Sequence, residues 1–146
     1  MKLLILSVCL LATVMISHAY TIGNAALHGA KLSRAEIQAC YRSANMTEDE
    51  LITKDEIKDG TYNQDAERAK KNGCFSACVL QKRNLIVGTE IQKDKLYGKE
   101  AHVNVPQDVQ DAIYATVDRC VKEVKTNPDL CEKSLQLLVC LSKDFI

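Results

Sequence analysis

Tryptophan is absent from this sequence of 146 residues, and no apolar stretch after residue 16 approaches the roughly 20 residues of a membrane-spanning helix. We therefore expect no membrane insertion by the body of the chain. Neither sign of charge predominates, since 19 Lys and Arg balance 19 Asp and Glu without a basic block. That balance argues against nucleic acid as a partner. Alternating strand patterns and internal repeats are also missing, so the predicted fold class is all-α.

Histidine is scarce, and only His28 and His102 lie outside the first 19 residues. Nothing in the sequence positions either of them beside a nucleophile and an acid. A secreted phospholipase A2 would need a His-Asp pair beside its cysteines, and none is present. Metal ligation requires grouped His, Cys or carboxylate side chains. We therefore expect no catalytic residues, no metal site and no cofactor.

The amino terminus has the layout of a secretory signal peptide. Lys2 supplies a positive charge, residues 3–16 form an uncharged and mostly apolar run, and small residues precede a cleavage point after Ala19. The run is too short to span a bilayer. We expect residues 1–19 to be removed and residues 20–146 to form one secreted helical domain.

Six cysteines would remain after the loss of Cys9 with the signal peptide, and an even number in a small secreted chain indicates a disulfide framework. Cys74 and Cys78 project from one helix face, where a mutual bond has poor geometry, so each is expected to reach a different segment. A bridge between Cys120 and Cys140 would join the last two predicted helices. Spacing alone leaves the other pairings open.

Helix-start signals recur early in the chain. A capping box, in which a Ser or Thr N-cap is followed three residues later by Glu, occurs three times: Ser33 with Glu36, Thr47 with Glu50, and Thr53 with Glu56. Leu32 and Ile37 flank the first box as a hydrophobic staple. The second and third boxes overlap, so one continuous helix that uses only the second box is an alternative to two short helices. Gly60 is expected to end this region.

Longer helical patterns follow. Residues 65–82 favour a helix, with the alternative that it begins near Gly73. A shorter helix is predicted at residues 90–99. Residues 106–125 repeat apolar side chains at steps of three and four, with a proline suited to the first turn. The last helix, capped by Asn127, is apolar around most of its circumference and is expected to be the central, most buried one.

The cysteine spacing resembles that of the insect odorant-binding proteins, also called the pheromone-binding or general odorant-binding family. Three residues separate Cys74 from Cys78 and eight separate Cys131 from Cys140, while the other gaps are 33, 41 and 10 residues. The resemblance implies six helices, stapled by disulfides, that enclose an apolar cavity. It also implies the pairing Cys40–Cys78, Cys74–Cys131 and Cys120–Cys140.

The resemblance further implies that ligand contacts lie around the third and sixth cysteines. With the apolar stripe of residues 106–125, the predicted ligand-contacting residues are Leu80, Ile113, Val117, Leu137, Leu141 and Phe145. Apolar helix faces usually form core, so packing and cavity lining cannot be separated by composition. Tyr41, Tyr97 and Tyr114 are candidate polar handles for a ligand, with a structural or surface hydroxyl as the alternative for each.

A possible modification site lies between the first two predicted helices. Asn45 begins an Asn-Met-Thr sequon for N-glycosylation in an expected loop. The threonine of this sequon, Thr47, is also a predicted helix cap, and this double role opposes modification.

The short carboxyl-terminal tail ends in two large apolar residues, Phe145 and Ile146. Each gains roughly 1.5–3 kcal/mol on full burial, so we predict a tail folded back as part of the pocket wall or lid. The alternative is a frayed terminus. Asp144 and, less strongly, His102 are candidate pH-sensitive groups for ligand release.

Three functions fit these observations. The favoured one is a secreted, extracellular carrier of small hydrophobic molecules such as odorants or pheromones, with an olfactory receptor or a second copy of the chain as further candidate partners. The second is a non-olfactory scavenger or carrier of secretions or haemolymph with the same fold. The third is an interaction protein whose core is fully packed.

Overall fold

A computed structural model describes residues 32–97 and 106–145, the last of these by its backbone alone. Six α-helices and a small β-hairpin occur in this part of the chain, so the predicted all-α, disulfide-stapled fold is confirmed. The elements in chain order are α1 (Arg34–Ser43), a 3-10 helix (Glu48–Glu50), α2 (Lys54–Lys58), α3 (Ala66–Lys82), β1 (Ile86–Val87), β2 (Glu90–Ile91), α4 (Lys93–Leu96), α5 (Gln107–Val124) and α6 (Leu130–Phe145). The predicted signal peptide and His102 lie outside the described residues.

Local capping signals set the starts of α1 and α2. At α1 the Ser33 amide donates to the Glu36 carboxylate (2.8 Å), and the Glu36 amide donates back to the Ser33 hydroxyl (3.3 Å). The same exchange joins Thr53 and Glu56 at the start of α2, with distances of 2.8 and 3.3 Å. Both predicted boxes therefore form as reciprocal hydrogen bonds.

Separate helices follow the second and third capping boxes, so the continuous-helix alternative is wrong. Leu51 and Ile52 interrupt the helical path, and two polar side chains of α3 hold this break. Arg68 donates to the carbonyl oxygens of Glu50 and Leu51, each at 2.8 Å. Asn72 donates to the Glu50 carbonyl (2.9 Å) and accepts from the Ile52 amide (3.0 Å). These bonds satisfy backbone groups that a continuous helix would otherwise pair internally.

Helix α3 runs unbroken through Gly73, so the alternative start at that glycine is wrong. The helix begins after Asp65, whose side chain accepts from the Arg68 amide at 2.9 Å. Gly73 faces the start of α6, and a Cβ placed on it would overlap the carbonyl oxygen of Cys131 and lie 2.9 Å from the carbonyl carbon. The glycine thus permits a close helix–helix approach at a modest loss of helix propensity.

A short antiparallel hairpin follows α3, where sequence patterns indicate no strand. Ile86 pairs with Ile91, and Val87 pairs with Glu90 across a turn in which Gly88 has a positive φ of 61°. The helix predicted at residues 90–99 is therefore wrong at its start, and α4 begins at Lys93. Two-residue strands are too short to show alternation in a sequence.

The last two helices form where the sequence predicts them, with one corrected cap. Asp129, not Asn127, caps α6, because its carboxylate accepts from the Glu132 amide at 2.8 Å. The Asn127 side chain instead accepts from the Asp129 amide at 3.0 Å. Leu137 on α6 is fully buried, as expected of a central helix, but α3 is equally central and buries Phe75 to the same degree.

Three disulfides tie the helices together, and they are the pairs that the family resemblance implies. Two of them start on α3, from cysteines one helical turn apart, and reach α1 and the start of α6. The third joins α5 to α6. The pairs are Cys40–Cys78, Cys74–Cys131 and Cys120–Cys140.

Substitution of Gly73 by alanine tests the close packing of α3 on α6. Although alanine favours helix, we expect the added methyl to force the helices apart and to lower the free energy of unfolding by about 1–3 kcal/mol. Urea unfolding of the disulfide-intact protein measures this. Gln81→Ala, at an exposed position of α3, is the control and should change stability little. A Gly73→Ala protein as stable as the parent would contradict the packing described.

Substitution of Glu56 by glutamine tests the ion pair with Arg68. The Nη2 of Arg68 donates to the Glu56 carboxylate at 3.0 Å. The Arg68 hydrogen bonds lower the pKa of Glu56 from 4.5 to about 2. A lowered folded-state pKa gives stability that is present above pH 4.5 and lost as the pH falls toward 2. Glu56→Gln should lose about 1–3 kcal/mol at neutral pH and show a flatter acid profile. Glu67→Gln is the control, because the Glu67 side chain is 83% exposed, and it should keep the parental dependence of stability on pH. If both variants show the same dependence of stability on pH, the ion pair between Glu56 and Arg68 does not have this role.

Candidate ligand-binding site

Helices α5 and α6 run antiparallel, and their facing sides carry most of the predicted ligand contacts. The Cys120–Cys140 disulfide brings the two Cα atoms within 5.6 Å. Nearer the end of α6, the Thr116 hydroxyl donates to Asp144 at 2.8 Å. Residues before Cys120 therefore oppose residues after Cys140, which places Val117 beside the last turns of α6.

An apolar cluster lies between α3, the hairpin, α5 and α6, and we call it the hairpin cluster. It contains two of the predicted contacts, Leu80 and Leu137, which are 5% and 0% exposed. Leu141 is partly buried and packs against it. The other buried members are Leu85, Ile86, Cys120, Val124 and Cys140.

The remaining predicted contacts lie apart from this cluster. Val117 is buried on α5, and Ile113, one turn earlier, is partly buried. The side chain of Phe145 lies outside the described residues. The structure thus brings together Leu80, Leu137 and Leu141, with Val117 and Ile113 continuing along the face of α5.

The final turn does not fold back as predicted, because α6 continues to Phe145. Asp144 holds this turn against α5, where it accepts from the Thr116 hydroxyl and from Arg119 (2.7 Å). These two donors lower the pKa of the Asp144 carboxyl, the hydroxyl contributing more than the guanidinium. A carboxylate so held fixes the end of α6 against α5.

The three candidate tyrosines occupy different environments. Tyr41 stacks on Phe75, with ring centroids 4.6 Å apart, and burial raises its pKa to about 12. Its hydroxyl is buried and has no hydrogen-bond partner among the described residues. Tyr97 and Tyr114 pack edge to face (4.8 Å), and the Tyr97 hydroxyl donates to Asp118 at 2.7 Å. Tyr41 therefore belongs to a separate core, and the other two lie beside the α4–α5 contact.

Four clefts of about 230–400 Å³ open on the surface of the described residues. None of the four is lined by Leu80, Val117, Leu137 or Leu141. Leu80, Leu137 and Leu141 instead pack in the hairpin cluster as core. An enclosed cavity at these residues therefore remains a proposal.

Asn45, the predicted glycosylation site, is exposed in the loop after α1 with a positive φ of 50°. Thr47 precedes the 3-10 helix and donates from its amide (2.8 Å) and hydroxyl (3.1 Å) to Glu50, but its side chain accepts from no backbone amide of the described residues, so only half of this capping box forms. Glycosylation itself stays a prediction.

Within the described ranges no helix is long and apolar enough to cross a membrane. The same part of the chain groups no three His, Cys, Asp or Glu side chains suited to a metal ion.

Comparisons with known proteins agree with this architecture. The PBP/GOBP family matches residues 30–144. The pheromone-binding protein Gp-9 of Solenopsis nigella gensterblumi is 32% identical, over 97% of this chain and 91% of the relative. Proteins of the same name from Solenopsis electra and Solenopsis quinquecuspis are 29% and 30% identical, over 71% and 70% of this chain and 69% and 67% of theirs. No solved structure gives a significant match.

The family match covers nearly all of the described structure, including the three disulfides and all six helices. The most extensive of these relatives aligns over almost the entire chain. On this evidence the chain belongs to the PBP/GOBP family of insect odorant- and pheromone-binding proteins.

Proposed function

We propose that this protein is a secreted carrier that binds one small hydrophobic molecule between α3, α5 and α6. The observation that carries the proposal is membership of a family whose members include pheromone-binding proteins. The apolar face shared by Leu80, Leu137 and Leu141 supports it, because small-molecule sites are lined mostly by such side chains. Binding of this kind needs no bond-making chemistry.

The disulfides suit a carrier that must open its core to a ligand. Cys120–Cys140 fixes α5 to α6 beside the proposed pocket, and the two bridges of α3 fix the opposite wall. Each disulfide lowers the conformational entropy of the unfolded chain, which stabilises the fold by about 3–4 kcal/mol in the entropy model. Because the loops that the bridges close overlap along the chain, the three contributions do not add in full. The protein can therefore stay folded when apolar side chains of the core move apart to admit a ligand.

Secretion is part of the proposal. Residues 1–19 have the charge and apolar layout of a signal peptide, and three disulfides are typical of an extracellular protein. The ligand would be an odorant, a pheromone or a similar small hydrophobic molecule. Carriage in secretions or haemolymph is the alternative with the same chemistry, and the site of expression separates the two. An olfactory receptor and a homodimer remain proposed partners.

Probe binding tests the carrier function. The mature chain, residues 20–146, should bind N-phenyl-1-naphthylamine with low-micromolar affinity, about 8 kcal/mol, with the probe displaced by neutral apolar molecules. Leu141→Ala should weaken binding about tenfold by removing part of the proposed wall. Lys143→Ala, two positions along the same helix, is the control and should leave affinity unchanged. The carrier function is contradicted if no member of a broad ligand panel displaces the probe.

Removal of residues 144–146 tests whether the end of α6 supports the pocket. Without Asp144 the last turn loses its two donors on α5, so probe affinity at neutral pH should fall severalfold. The lowered pKa of Asp144 means its contribution is present above its ordinary value of 3.8 and lost at still lower pH. The probe affinity of the full-length protein should thus equal that of the truncated protein only in strong acid. Equal affinities at neutral pH would show that the tail supports no pocket.

A further inference from the structure

A basic cleft of about 380 Å³ opens beside the β-hairpin, between α5 and α6. Four lysines and two carboxylates line it, so its formal charge is +2 (4 − 2), whereas the whole chain has a formal charge of zero. The positive charge is therefore concentrated locally. The lysines are Lys93, Lys122, Lys125 and Lys133.

Lys133 is the unusual member of this group, because it is only 5% exposed. Its Nζ donates to the carbonyl oxygen of Thr89 in the hairpin turn at 3.1 Å. An ammonium carries three N–H donors, and the described residues supply no acceptor for the other two. The stem of Lys133 is therefore held by the fold while its ammonium, at the wall of the cleft, keeps donor capacity that an anion in the cleft could accept.

The acidic groups of the cleft do not neutralise Lys133. Asp118 is engaged by Lys93 at 2.8 Å and by the Tyr97 hydroxyl at 2.7 Å. Glu90 is exposed on the hairpin. Among the described residues, no ion-pair partner occurs for Lys133 or for its exposed neighbours Lys122 and Lys125.

The floor of the cleft is apolar where it meets the protein interior. Ile91 and Val121 line the cleft, and both pack against the hairpin cluster that contains Leu80 and Leu137. A molecule with its charged end at Lys133 could therefore lay an apolar chain on Ile91 and Val121. The cleft therefore places a positive charge and an apolar surface next to each other.

We propose that this cleft binds the anionic head of an amphiphilic ligand, a carboxylate on an apolar chain, with Lys133 as the direct donor. Lys122 and Lys125 add attraction from the rim, and the chain points toward the hairpin cluster. The inference rests on the proposed carrier function and sharpens it, because it names the charge of the carried molecule. Charge-assisted hydrogen bonds in a partly dehydrated site are the strong ones, which favours an acid over the matching alcohol.

Calorimetric titration with decanoate, decan-1-ol and acetate tests the proposal on the mature protein. Decanoate should bind at least tenfold more tightly than decan-1-ol, and acetate should bind weakly because it lacks the chain. Lys133→Met should abolish the preference for the acid and retain alcohol binding. Lys143→Met, a lysine of α6 outside the cleft, should behave as the parent.

The double variant Lys122→Met/Lys125→Met keeps the test decisive if Lys133→Met does not fold, since both positions are exposed. It should reduce the acid preference severalfold and lessen its dependence on salt. Equal affinity for acid and alcohol in the parent, or a preference untouched by the lysine variants, overturns the inference and leaves the carrier function standing. If neither amphiphile binds, the inference is overturned, and the carrier function is decided separately by displacement of the fluorescent probe with the broad ligand panel.

Discussion

Helices α3 and α6 meet at a contact so close that only a glycine fits, and the rest of the described structure is arranged around it. Gly73 lies against the carbonyl group of Cys131, and the next residue, Cys74, is bonded to that cysteine with Cα atoms 4.2 Å apart. One turn later Cys78 holds α1. Because backbone meets backbone at this point, neither helix can rotate without breaking covalent geometry or packing.

The other elements follow from that contact. With α6 fixed on α3, the Cys120–Cys140 disulfide sets α5 antiparallel to α6 and brings their apolar faces together. The polar face of α3 meanwhile holds the chain between α1 and α2 through Arg68 and Asn72. In the proposed function, the same side chains that make this packed core would line the ligand pocket within a frame that the disulfides hold together.

Much of the fold could be predicted because it is indicated by short local sequence patterns or by the spacing of residues along the chain. The reciprocal bonds at Ser33 and Thr53 involve residues three apart, and their sequence pattern specifies them fully. The long helices follow from apolar periodicity. Cysteine spacing supplied the family resemblance, from which the pairing and the six-helix architecture were inferred.

The parts that sequence patterns did not predict have several physical causes. The capping box at Thr53 allowed a break after Glu50 but did not decide it, because the break is held by Arg68, 17 residues beyond Leu51. The hairpin pairs two residues on each side, too few for a periodic pattern. Asp129 and Asn127 are both good caps, and the turn between them selects the former. Lys133 gave no signal in the sequence, since only the fold buries a lysine of α6 under the hairpin turn.

Native mass spectrometry of the protein purified from its source tests the central claim most directly, which is that this disulfide-bonded helical frame carries one small apolar molecule. The account predicts a species heavier than the mature chain by the mass of one small organic molecule, released on mild activation and on unfolding. The mass should also show the loss of residues 1–19 and of six hydrogens for three disulfides. A protein that carries no adduct, and acquires none when mixed with a panel of small apolar acids and alcohols, would contradict it.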